Sequence, residues 1–72
     1  MQLGNRLRQY RFRHQEISQQ NLANAVGVSR LTIHSIENGK FNPSALLALK
    51  IARFFKVKFE DIFYLTQEGK QR

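Results

Sequence analysis

Cysteine is absent from the 72 residues, which rules out disulfides and thiolate metal sites. No apolar run approaches the ~20 residues that a membrane-spanning helix needs. The basic-then-apolar pattern of a secretory leader is missing too, so the expected location is the cytoplasm. Histidine occurs only at His14 and His34, and neither has a carboxylate or serine at a spacing that would build a catalytic triad. No phosphate-binding glycine loop or cluster of metal ligands is visible, so no enzyme, cofactor, metal site or small-molecule ligand is expected. Internal repeats, low-complexity segments and interdomain linkers are also absent. Acids are scarce: five Asp and Glu stand against twelve Lys and Arg, a formal charge of +7. That surplus fits either a polyanionic partner or merely a soluble basic protein. The length allows one small domain that buries about 60% of its unfolded surface, a marginal core that a partner subunit would help.

What is present centres on Gln19 to Asn38, QQNLANAVGVSRLTIHSIEN. Ser18 can cap a helix over Gln19–Val26 by accepting from an amide of its first turn. Gly27 stands at the sharp corner, where a positive φ costs glycine nothing. Ser29 caps a second helix that runs through about Asn38 and stops before Gly39. Leu22, Val26, Val28, Ile33 and Ile36 supply apolar contacts, and Ala23 is small where a crossing helix needs close approach. Two short helices joined in this way form a helix-turn-helix.

At about 100° per residue, Ile33 and Ile36 define the buried direction of the second of these helices. Leu31, His34, Ser35 and Asn38 fall within about 50° of the opposite direction, and Arg30 and Thr32 flank the N-terminal end. This outward set carries an arginine, two hydroxyls, a histidine, an asparagine and no acid. It can bond base edges without repelling phosphate, and in a helix-turn-helix this end enters the major groove.

Elsewhere, residues 5–14 read as a first helix with Asn5 as N-cap and Leu7 and Tyr10 inward. Arg6, Arg8, Arg11 and Arg13 lie on it, either reaching phosphates or forming a solvated surface. Arg11 shares the inner stripe with Leu7, and Glu37 borders the buried face of the recognition helix; an Arg11–Glu37 ion pair is therefore expected. Gln15 and Glu16 make the turn, and Ile17 staples the next helix. Lys40-Phe41-Asn42-Pro43 is a loop. Ser44 caps a fourth helix, roughly 45–55, with Ala45, Ala48, Ile51, Ala52 and Phe55 on its core face. A fifth helix is expected at about 59–64, and 67–72 is read as a flexible polar tail outside a domain spanning 1–66. Ile62 and Phe63 cannot both point into a thin core on this reading. Leu49, Phe54, Ile62, Phe63 and Leu65 are accordingly assigned to a self-association patch, with ordinary core closure as the alternative.

The motifs S-Q-x-x-L-A, V-G-V-S-R, T-I-x-x-I-E-N-G-K and N-P-S occur in order, followed by ALKIARFF and FEDIF. Over roughly residues 5–65 the chain resembles the Cro/C1-type (XRE-like) regulators of bacteria and phage, in their compact single-domain branch. The resemblance implies an all-α, five-helix lambda-repressor-like fold. It also implies a homodimer formed through the C-terminal helices, acting as a transcriptional regulator, most simply a repressor, on double-stranded DNA. Gln19 matches the glutamine that opens the second helix and touches the DNA backbone. Arg30 matches a residue that reads a base or a phosphate, and Thr32 and Ser35 fall at contact positions. Asn38 and Lys40 match the helix end and loop beside phosphate, and Glu37 is similar to the acid that pairs with the first helix. Ser29 and His34 complete the expected contact surface, His34 as an exposed helix residue rather than a pH switch. Leu31 stands where a polar residue is usual, and Gln15-Glu16 lengthens the first turn by one residue. Leu31 either packs on a thymine methyl group or rests on a neighbour.

A toxin-binding antitoxin and an RNA binder are the rival readings. The short segment after Leu65 offers little to a toxin, and the recognition helix lacks aromatics for stacking single-stranded bases.

Overall fold

The computed structural model describes residues 2–66, and the expected tail at 67–72 lies outside the described residues. The elements run β1 (Gln2–Asn5), α1 (Leu7–Arg13), α2 (Gln19–Val26), α3 (Arg30–Glu37), α4 (Ala45–Phe55), α5 (Phe59–Ile62) and β2 (Phe63–Thr66). Every helix sends at least one fully buried side chain to a common centre: Leu7, Leu22, Ile33, Ile36, Ile51 and Ile62. Half-buried Leu3, Tyr10, Ile17, Val28, Phe54 and Val57 pack around them. Among the described residues no helix is long and apolar enough to cross a membrane.

The three central helices start as their serines dictate. Ser18, Ser29 and Ser44 accept from the amides of Asn21, Thr32 and Leu47, each satisfying one donor that the helix itself leaves over. Gly27 closes α2 with φ 81°, the left-handed corner that sends the chain into α3. Gln15 and Glu16 also adopt positive φ, 58° and 54°, so the turn after α1 is built from non-glycine residues in a costly conformation.

Four expectations about individual elements need correction. The first helix begins at Leu7 rather than Asn5, because Asn5 ends a strand; its side chain still serves the helix by accepting from the Leu7 amide at 3.0 Å. The fifth helix stops at Ile62, and Phe63–Thr66 pairs with β1 instead of extending it. The fold is therefore five helices plus an antiparallel two-stranded sheet, in register Gln2↔Thr66, Leu3↔Leu65, Gly4↔Tyr64 and Asn5↔Phe63. On α4, Leu47 is buried and Ala45 is exposed, the reverse of the expected stripe at that end. Ile62 and Phe63, read as too many for one core, are 0% and 2% exposed. The helix-to-strand change between them turns both side chains inward, where a continuous helix would have splayed them by about 100°. Phe63 stacks on Phe59 with ring centroids 5.2 Å apart.

Candidate nucleic-acid interface

Both ends of α3 are fixed by neighbouring elements, and that fixes what its outer face presents. At its start, Ser29 accepts from the Thr32 amide, and the two hydroxyls sit 3.0 Å apart. At its end, the Asn5 side-chain amide donates to the Ile36 carbonyl at 2.9 Å. The Gly39 and Lys40 amides return to Ile36 and Ser35, closing the carbonyls left over at a helix terminus. The inner side is anchored by buried Ile33 and Ile36.

A polar relay links three helices across this element. Arg11 on α1 meets Glu37 at the end of α3 in a two-pronged contact, Nε to Oε2 at 2.6 Å and Nη2 to Oε1 at 3.2 Å. The remaining guanidinium arm donates to the Ile17 carbonyl at 2.9 Å, tying in the turn before α2. Gln19, first residue of α2, donates from Nε2 to Glu37 Oε1 at 3.0 Å. Its Oε1 accepts from Arg30 at 3.3 Å. A carboxylate only accepts and a guanidinium only donates, so the two neighbours dictate which way this amide faces. Arg30, exposed at the start of α3, is thus steered by an ion pair it never touches.

The other expected contact residues divide by exposure. Leu31, His34, Asn38 and Lys40 are exposed with Ser29 and Arg30, whereas Thr32, Ser35 and Gln19 are half-buried. Asn38 and His34 lie one turn apart and share a 3.0 Å hydrogen bond. Ser29, Leu31, Thr32, Ser35 and Lys40 line one shallow groove, joined there by Phe41, which sequence reasoning placed only in a loop. Among the described residues of α3 and the loop that follows it, Glu37 is the one acid, and it points back into the relay. Two arginines here have aromatic company: Arg6, just before α1, lies 4.4 Å from the Tyr64 ring centroid, and Arg13, at the end of α1, lies 5.2 Å from that of Tyr10.

The expected self-association residues do not form one patch. Ile62 and Phe63 belong to the chain's own core. Phe54 is half-buried with its ring against His14 and Phe55. Leu49 and Leu65 remain exposed, together with Leu46. Leu49 and Phe59 border two adjoining apolar grooves, one reaching Leu46 and Val57 and the other Leu3 and Pro43. Among the described residues no cluster of three or more potential metal ligands occurs.

Comparison with known proteins gives consistent relatives. Residues 7–62 match the helix-turn-helix family. Over 61 residues the chain is 56% identical to an uncharacterised HTH-type transcriptional regulator of Methanocaldococcus jannaschii, covering 85% of this chain and 91% of that protein. A Bacillus subtilis regulator of the same description is 50% identical over 52 residues, 72% of this chain and 79% of its own length. One from Archaeoglobus fulgidus is 48% identical over 63 residues, with 88% and 87% covered. These relatives are archaeal as well as bacterial.

Proposed function

The chain belongs to the helix-turn-helix family of DNA-binding transcriptional regulators, which are not enzymes, and from that premise we propose that it represses transcription by binding an inverted-repeat operator as a homodimer. The observation that carries this reading is the outward face of α3. It is free of acid, rich in hydrogen-bonding groups and led by an arginine that Gln19 and Glu37 hold in place.

The division of labour follows from the chemistry of duplex DNA, in which phosphate contacts position the protein and base contacts specify the site. Arg30 is aimed where a guanidinium can bond guanine O6 and N7 together, a contact with a discrimination of ~1–3 kcal/mol. Lys40 and Asn38, at the far end of α3, serve phosphates, with amides at the start of α2 adding a favourable field. Gln19 contributes by holding Arg30 as much as by touching the backbone. Ser29, Thr32, Ser35 and His34 fill the surface between these anchors.

A chain with one recognition helix reads one half-site. Two copies related by a two-fold axis would set their α3 helices about 34 Å apart, one turn of DNA, hence the inverted repeat. The exposed Leu46, Leu49 and Phe59 supply the apolar surface for that pairing. Occupying a promoter blocks polymerase without any further surface, so repression is the regulatory sense proposed. The place of action is the nucleoid, in the cytoplasm.

Selection from random duplexes tests the reading in one step. A palindromic sequence should be enriched, and its affinity should fall with salt at a log–log slope near −0.9 per phosphate neutralised. Arg30→Ala should relax the choice at one position in each half-site. No enriched duplex, or an affinity indifferent to salt, would overturn the proposal.

A further inference from the structure

Two large apolar side chains stand on the polar face of the molecule with no core to fill. Leu31, in the first turn of α3, is 63% exposed, and Phe41, in the loop that follows α3, is 47% exposed. Neither belongs to the buried core or to the half-buried residues packed on it. One exposed leucine would call for no explanation. These two share a groove with Ser29, Thr32, Ser35 and Lys40, all of which carry hydrogen-bonding side chains. Leu31 and Ser35 lie four residues apart and so on one face of α3. Gly39, at φ 75°, turns the chain, and the Lys40 amide returns to the Ser35 carbonyl at 2.9 Å, which brings Phe41 back beside that face.

We infer that Leu31 and Phe41 are the two walls of a seat for the 5-methyl group of thymine, which makes Phe41 a specificity-determining residue. The inference rests on the reading that α3 enters the major groove. Base-pair edges there present donors, acceptors and a single kind of apolar group, the thymine methyl. An apolar pair facing the base edges therefore has one complement among them. Leu31 alone would leave the methyl half in water; Phe41, approaching from the loop, covers the other side. Lys40, next in sequence to Phe41, places a cation at the rim of the seat for the adjoining phosphate. Burying one methyl-sized group from water corresponds to about a fourfold gain in affinity.

The test uses the selected operator with each thymine replaced in turn by deoxyuridine, which keeps every hydrogen-bonding group and removes only the methyl. The full chain should lose affinity by about three- to tenfold at one position in each half-site and be unaffected at the others. Leu31→Ala and Phe41→Ala proteins, each with an unchanged melting temperature, should no longer distinguish thymine from uracil at that position. The seat is ruled out if no thymine-to-uracil change matters, if the selected operator contains no thymine, or if both variants still discriminate as the parent does. The uracil series needs no protein variant, so a folding defect cannot hide the answer. Failure to recover any duplex is a different result: it removes the DNA-binding reading, and the seat falls with it.

Discussion

Glu37 holds its carboxylate in a nearly closed site, with the side chain 5% exposed against 11% for its partner Arg11. Removing one member of a pair so enclosed leaves a charge without compensation, which typically costs ~3–5 kcal/mol. Arg11→Ala should lower the melting temperature by on the order of ten degrees or more in a domain this small. Arg13→Ala, on an exposed residue, should stay within about 0.5 kcal/mol of the parent. Thermal unfolding followed by circular dichroism separates the two, and equal shifts would deny the pair its structural role. The pairing was legible in the sequence because Leu7 and Arg11 share one helical stripe and Glu37 borders another. The middle of the relay was not. Nothing in the spacing of Gln19 reveals that its amide spans Glu37 and Arg30, since that depends on how α2 crosses the start of α3. Phe41 escaped notice for a similar reason: a loop side chain has no periodicity, and its direction is set by the turn at Gly39.

Among the elements, the three helices with serine caps, two of them followed by a glycine turn, were readable to within a residue, because each signal is local and has one structural meaning. The sheet was not readable. QLGN is short, half polar and contains glycine, and FYLT follows FEDI without a break, so a helical start masks its aromatic, extended character. Only the distant partner makes either segment a strand. Gly4 records how closely they meet: a Cβ there would lie 2.5 Å from the Tyr64 ring. Gly4→Ala should therefore push that ring off the strand and away from Arg6, at a cost of about 1 kcal/mol. Urea unfolding of Gly4→Ala, Tyr64→Ala and the double variant checks the cause. The glycine substitution should cost less once the ring is gone, whereas strictly additive losses would place the clash elsewhere.

For the whole molecule, the apolar groove around Leu49 and Phe59 decides the oligomeric state proposed above. Leu49 is 56% exposed and makes no part of the core, so Leu49→Glu should preserve helix content while placing a charge in the proposed seam. Sedimentation at micromolar concentration should find the parent dimeric and the variant monomeric, with operator affinity falling in parallel. A monomeric parent would remove the dimer from the functional reading. The sequence located the surplus of apolar residues in the C-terminal third but not its division. Ile62 and Phe63 went inward because the backbone changes from helix to strand between them, and Leu46 stayed outside.

The register that sets Gln2 opposite Thr66 also has a mechanical meaning. Among the described residues these form the outermost rung of an antiparallel ladder, so a pull applied to both would open the described rungs singly, as a zip opens, rather than shear them all together. Tension from tethers at those positions would spend itself on the sheet before loading the helices, and the face proposed to read DNA would be among the last parts to feel it.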